Sequence, residues 1–240
     1  MAQRQLAVFD AQAADPQRRG AMARTLAAAA GLTLLPAAAQ SVANGALPAP
    51  QRSGGAALTE ALAQRRSVRH FGPQPLALSA LSQLLWAAQG ISASGGRRTA
   101  PSAGALYPLE LHVVVAAVEG LDAGVHRYLP ATHALQRARA DTTAQALQRA
   151  ALGQRAVGAA AAVVVIAAVE ARSAGKYGAR AGRYVAFEAG AAAQNLALQA
   201  AALGLGAVVI GAFDDDAVAR TLHLPPGERP VALLPIGRLG

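Results

Sequence analysis

From Ala56 onward the hydrophobic positions of the chain switch between two periods. Residues 57–66 and 78–90 carry apolar side chains at helical spacing, the second with Leu78, Leu81, Leu84, Leu85 and Ala88 on one stripe, and this predicts two packed helices. Leu109–Val118 holds the β-branched run Val113-Val114-Val115 and reads as a strand. Val125–Leu129 and Ala134–Arg137 read as shorter strands separated by Pro130-Ala131-Thr132-His133, so the middle section is expected as a small sheet or hairpin. Asp141 can cap a helix running to about Leu152, and Ala162–Val169 has the continuous apolar character of a buried strand. Arg183–Leu203 reads as a long Ala-rich helix ended by Gly204, followed by a strand at Ala207–Ile210. Asp214 or Asp215 starts a short helix to about His223, and Pro230–Ile236 closes as a strand. Helices and strands in mixed order imply the α+β class with antiparallel pairs.

The first 50 residues follow another pattern. Arg18-Arg19 precedes the apolar run Leu26–Leu35, and Pro36-Ala37-Ala38-Ala39-Gln40 follows it. This is the basic, apolar, small-residue order of a cleavable export signal, with the arginine pair resembling the twin-arginine route to the periplasm. Residues 1–39 are read as that signal; an Ala-rich amphipathic or disordered extension of a cytoplasmic protein is the alternative. The apolar run is too short to span a bilayer, so no stable membrane insertion is expected once the signal is removed. Residues 40–55, rich in Gly, Pro, Ala and Ser, read as linker, which leaves 56–240 as one folded domain.

Composition narrows the chemistry. A chain of 240 residues with 53% hydrophobic content can bury one sizeable core, and with 4% aromatic residues its helices must pack on small side chains. The formal charge of +9 suits an anionic partner, either nucleic acid or the phosphate of a cofactor. The arginines are scattered and no aromatics are interleaved with them, so a solvated basic surface is expected in place of a nucleic-acid site. Cysteine is absent, which excludes disulfides, thiolate nucleophiles and Cys-based metal centres. His70, His112, His126, His133 and His223 show no close ligand spacing, and no metal is expected.

Two constellations carry candidate chemistry. Arg65-Arg66-Ser67-Val68-Arg69 leaves a helix end before Phe71-Gly72-Pro73, and guanidinium groups suit planar, bidentate hydrogen bonding to phosphate. Arg at a helix C-terminus is equally explained by the helix dipole. The second is the loop Gly95–Gly104, small and polar, whose backbone N–H groups can approach a planar ligand or an anion closely; the plain alternative is a surface loop. Ser102 in Ala100-Pro101-Ser102-Ala103-Gly104, followed later by Asp214–Asp216 and His223, mimics the order of a hydrolase triad. A nucleophile elbow needs a buried strand directly before the serine and a helix directly after it, and neither is read here.

The Arg-Arg-Ser-x-Arg-x-Phe strip at 65–71, Leu84–Ile91, Arg98–Pro108 and Leu205–Gly211 occur in the order found in nitroreductase-like flavoproteins, and roughly residues 57–240 resemble that family. The resemblance is to its SagB/ThcOx branch above all, which includes azoline dehydrogenases of peptide natural-product pathways. It implies a nitroreductase-like α+β fold with a central, mostly antiparallel sheet flanked by helices. It also implies a homodimer with FMN at the subunit interface, and hydride transfer from NAD(P)H to a small organic acceptor such as a nitroaromatic or quinone. By the same resemblance Arg65, Arg66, Ser67 and Arg69 would grip the FMN phosphate and ring edge. Pro101, Ser102, Ala103 and Gly104 would lie along the isoalloxazine, with Ile210 and Gly211 near its other face and Arg238 as a second phosphate ligand. Lys176-Tyr177 resembles the pair that handles the substrate proton in azoline dehydrogenases. A lysine desolvated beside a flavin can act as a base, and a solvated Lys with a packing Tyr is the alternative. Three functions stay open: a reductase of small acceptors, an azoline dehydrogenase acting on a modified peptide, and a non-enzymatic basic protein binding anions or nucleic acid.

Overall fold

The computed structural model describes residues 45–240. The expected export signal, 1–39, lies outside the described residues. In chain order the elements are α1 (Leu58–Gln64), α2 (Leu78–Gln89), a two-stranded ribbon of β1 (Ile91–Ala93) and β2 (Arg97–Arg98), then β3 (Leu109–Val115), β4 (Gly124–Leu129) and β5 (Ala134–Arg139). There follow α3 (Ala144–Ala150), α4 (Arg155–Ala159), β6 (Ala162–Ala168), α5 (Ala171–Tyr177), α6 (Ala181–Ala202), β7 (Leu205–Ala207), α7 (Asp215–Leu222) and β8 (Arg229–Arg238). The main sheet has the order β5-β4-β3-β6-β8-β7, with every neighbouring pair antiparallel. The expected α+β architecture, a central antiparallel sheet flanked by helices, is the one observed.

Alternation along the central strands assigns the two faces. Val113, Val164 and Leu234 stand side by side in register on one face, where Leu81, Leu84 and Leu85 of α2 and Ala189, Ala192 and Leu196 of α6 cover them. Val114, Val163 and Leu233 face the other way, under Leu147 of α3, Val157 of α4 and Val218 of α7. β6 is buried at every residue, which is why it reads as an unbroken apolar run with no alternation. The alanines of α6 let its backbone approach the sheet closely, the packing that a chain poor in aromatics requires.

The middle section differs from expectation. β3, β4 and β5 do not form a separate small sheet: β3 pairs with β6 along its whole length, so they are one half of the main sheet. A pairing 50 residues away in sequence leaves no local mark. Asp141 does not cap α3; the fork of Arg139 holds its carboxylate, and Thr143 accepts the Ala146 N–H (3.2 Å) in its place. α5 was not expected, because Ser173 is its only buried residue and no apolar stripe marks it.

Part of the stretch expected as linker also belongs to the fold. Leu135 N–H donates to Gly45 O (2.6 Å), Leu47 N–H donates to His133 O (3.2 Å), and the Leu47 side chain is buried. Ser82 Oγ donates to Pro48 O (2.5 Å), so His133 Nε2–H, 2.8 Å away, donates to Ser82 Oγ. His133 Nδ1 then accepts from the Tyr128 hydroxyl at 2.8 Å, and the neutral ring is used on both sides. Burial holds the His133 pKa below its ordinary 6.5, against the opposing pull of the Pro48 carbonyl. The unfolded chain therefore takes up a proton that the folded one resists. The stability contributed by the neutral ring is complete above the unfolded pKa and is lost as pH falls from there through the lower folded pKa.

Two outcomes follow from this packing. Ile166→Ala in the middle of β6 is expected to cost about 2–5 kcal/mol in urea unfolding, and Ile166→Val about 0.5–1.5 kcal/mol. His133 adopts a positive φ of 48°, which Asn tolerates. The stability gap between the wild type and His133→Asn should accordingly be larger at about pH 7.5 than at about pH 5; an equal gap would show that the ring does not titrate against folding.

Candidate functional site

Beyond α1 the chain leaves as an extended strip laid along the edge of the sheet. Val68 N–H donates to Ala207 O (3.0 Å) and Gly72 N–H to Arg238 O (3.0 Å); Ser67 bridges Ala207 and Phe71 bridges Leu239. Two glycines permit the approach. A Cβ at Gly206 would fall 2.7 Å from Val68 Cγ1, and one at Gly237 would fall 2.8 Å from Phe71 Cβ. With Val68 and Phe71 turned toward the sheet, Ser67 and Arg69 are left exposed. Arg65, Arg66, Ser67, Arg69 and Arg238 therefore gather at one end of the sheet.

Their present partners are local. Arg66 Nη1 donates to Ala63 O and Arg65 O, both at 2.8 Å, which is the helix-end role anticipated for it. Arg69 Nη1 reaches Ser67 O (3.4 Å) and Arg238 Nε reaches Pro75 O (3.4 Å). A guanidinium has five N–H donors, so each retains others for an anion. Ile210 is pinned to β8 by paired hydrogen bonds with Leu233, and its side chain lies in the core with Val218 and Leu233. At this position Val209 and Gly211 are the residues that reach the surface.

The second group gathers at the turn before β3. Gly104, Ala105 and Tyr107 all have positive φ (63°, 54° and 46°), so this short turn holds two non-glycine residues in the left-handed region. Ser102 pins it from within, its Oγ accepting the Tyr107 N–H (2.8 Å) and its carbonyl the Ala105 N–H (3.1 Å). Glu188 of α6, buried at 5% exposure, pins it from outside by accepting the Ala103 N–H at 2.8 Å. Arg98 lies over the Tyr107 ring at 4.5 Å; burial holds its pKa below the ordinary value, opposed chiefly by Glu110. Glu110 in turn binds Arg172 (2.6 Å) and Arg127 (2.9 Å), which hold its pKa below the usual carboxylate value against its burial.

Lys176 and Tyr177, at the end of α5, close over this turn. A Cβ built on Gly104 would lie 2.9 Å from Lys176 Nζ and 3.0 Å from Tyr177 Oη. Tyr177 also packs on Tyr184 of α6, ring centroids 4.5 Å apart. Lys176 is the only lysine in the chain. That count, and the isolation of Glu188 as the one acid in α6, are signals present in the sequence itself.

Within one chain the two groups stand apart. α6 serves as the ruler: Glu188 holds the Gly104 turn, whereas Ala197 and Ala201 share a cavity of about 110 Å³ with Arg66 and Val68. Nine to thirteen helical residues separate them, about 14–20 Å along the axis. A larger cavity of about 370 Å³, between residues 51–56, α2 and α6, contains none of the expected site residues. Among the described residues no cluster of His, Asp or Glu suits a metal ion.

Residues 62–238 match the model of the nitroreductase family. A protein of Methanocaldococcus jannaschii assigned to the nitroreductases is 42% identical over 181 residues, covering 75% of this chain and 90% of that protein. A crystal structure from Ralstonia eutropha, likewise assigned, is 36% identical with a TM-score of 0.71, covering 81% of this chain and 88% of the other. The Escherichia coli microcin synthetase complex, solved with a truncated pro-microcin bound, is 26% identical with a TM-score of 0.64, covering 90% of this chain and 85% of the matched one.

The seating of the arginine strip can be tested directly. Gly206→Ala puts a methyl group into Val68 and should lift the strip. Limited trypsin digestion should then cut at Arg65, Arg66 or Arg69 about ten times faster than in the wild type, with the circular dichroism spectrum unchanged.

Proposed function

Because this chain belongs to the nitroreductase family, we propose that it is an FMN-dependent oxidoreductase that takes hydride from NAD(P)H and passes it to a small organic acceptor such as a nitroaromatic or quinone. The observation that carries this reading is the pairing of an exposed arginine edge with a strained small-residue turn capped by a lysine and a tyrosine. The donor set suits FMN. Arg65, Arg66, Arg69 and Arg238 offer fixed positive charge and planar donors for the phosphate, and Ser67 offers a hydroxyl for a heteroatom of the ring edge. Pro101, Ser102, Ala103 and Gly104 present a face without bulky side chains, and the surface at Gly211 is open.

The separation along α6 supports a homodimer in this reading. One copy supplies the arginine edge and the other the Gly104 turn, with the cofactor between them. Leu58 (65% exposed) and Leu62 of α1, with Phe187 (66%) and Leu203 of α6, are large apolar side chains that a second copy would cover. When bound, the flavin supplies the hydride chemistry, so the chain needs only to bind, orient and control protons.

A second reading, azoline dehydrogenation on a peptide of the SagB/ThcOx type, is favoured by Lys176 and Tyr177. Oxidising a thiazoline or oxazoline removes a proton as well as a hydride, and Lys176 Nζ is the amine placed at Gly104 to take it. The similarity to the microcin synthetase complex supports the same reading. The export signal read at residues 1–39 would carry the protein to the periplasm, away from intracellular cyclisation partners, and favours the small-acceptor reductase.

Loading with FMN is expected to give a yellow protein that oxidises NADH or NADPH in the presence of a quinone; a protein that stays colourless would sink the reading. Replacing Arg65 and Arg69 together by Ala should weaken FMN binding about ten- to a hundred-fold. Lys176→Arg keeps the charge but removes a base that can lose its proton. It should lower azoline oxidation by about 10²–10⁴-fold while quinone reduction and bound flavin persist. Equal azoline turnover in Lys176→Arg would exclude the second reading.

A further inference from the structure

Glu188 stands alone. It is the one acidic residue of a 22-residue helix, and its neighbours on the inward stripe are Val185, Ala189, Ala192 and Ala193. A carboxylate buried in that setting is costly unless a hydrogen bond answers it. The bond it makes is to the Ala103 N–H, 85 residues away in sequence and immediately before Gly104. The turn it reaches is strained, with Gly104, Ala105 and Tyr107 all at positive φ; Ser102 pins it from inside, and Arg172 of α5 holds its far end by donating to Tyr107 O (2.9 Å). Strained backbone persists only where its surroundings fix it; Arg172 reaches the Tyr107 end, and Glu188 is the side chain that ties the Ala103–Gly104 end to α6.

We propose that Glu188 is a positioning residue that locks the 102–107 turn to α6, and so fixes Gly104 against Lys176 Nζ and Tyr177 Oη. The two ends of this arrangement come from one piece of chain. α5 and α6 are joined by a single 3₁₀ turn at Gly178–Arg180, and Tyr177 packs on Tyr184, one helical turn before Glu188. The helix that carries Glu188 beneath the turn therefore also sets the position of Lys176 and Tyr177 over it. Gly104 is held between them. The catalytic part of this inference rests on reading the turn as the face presented to the flavin; the structural part does not.

Two substitutions separate reach from charge. Glu188→Asp keeps the carboxylate but is one methylene too short to reach Ala103. Glu188→Gln loses the charge but keeps an oxygen that accepts the same N–H. Amide hydrogen exchange over residues 98–107 of the cofactor-free protein should accelerate about ten-fold or more in E188D and stay near wild type in E188Q. With FMN and NADH supplied, E188D should lose about ten-fold in kcat with KM and FMN affinity little changed, and E188Q should recover most of it. Wild-type protection in E188D, equal impairment of E188Q and E188D, or a kcat loss without faster exchange would each overturn the proposal. Should the wild type bind no flavin, the functional reading fails on that result, and the exchange data still decide whether Glu188 locks the turn.

Discussion

β6 is buried on both faces along its whole length, and a strand in that position needs a helical layer above it and another below. α2 and α6 form one layer and α3, α4 and α7 the other, with Val113 and Val114 of β3 pointing one to each. The antiparallel pairing of β3 with β6 then places the start of one beside the end of the other, Leu109 opposite Ala168. The turn that leads into β3 and the helix that follows β6 must consequently meet at the same end of the sheet. Gly104 lies in that turn and Lys176 in that helix, so their meeting follows from topology. By the same logic Ala162 stands opposite Ile236, and Ile236 opposite Ala207, at the other end of β6. That is where the arginine strip docks. Seven strand residues make the two ends about 20 Å apart, in agreement with the spacing along α6.

This separation gives physical content to the proposed homodimer. A site divided between opposite ends of one chain would be completed by two copies packed antiparallel across a shared two-fold axis, each giving its arginine edge to the other's turn. Each half is rigid for its own reason. The strip is held by backbone hydrogen bonds to Ala207 and Arg238 and by the absence of side chains at Gly206 and Gly237. The turn is held by Ser102 from within, by Glu188 from α6 and by Arg172 from α5. The strain stored in the turn and the burial of a carboxylate beneath it oppose folding, and the hydrogen bond between them offsets part of both costs.

Most of the main-sheet strands and the long and terminal helices were legible in the sequence, because their apolar periodicity is strong and local. What escaped has a common cause. α5 makes almost no apolar burial, and the membership of β3–β5 in the main sheet depends on a distant partner, so neither alters the local pattern. By resemblance Ile210 is expected near the other face of the ring; its side chain fills the core, since the bridge to Leu233 fixes which face it takes, so any approach there is left to its backbone and to Gly211. The arginine strip and the Ala100–Pro108 loop were visible as separate motifs. Their assignment to opposite ends of the sheet was not, because motif order carries no information about strand direction.

The chain's basic residues divide the chemistry. Lys and Arg together number 22, and all but Lys176 are arginine. Guanidinium groups stay charged at any pH the fold survives, so they can bind an anion or cap a helix but cannot carry a proton away. A lysine amine is compact, and it comes close to a backbone only where the surface has no side chain in the way. Gly104 provides that surface, and its positive φ and the two atoms poised over it both select against any larger residue. In the proposed site, binding by fixed charge at one end of the sheet and proton handling at the other would fall to different residue types.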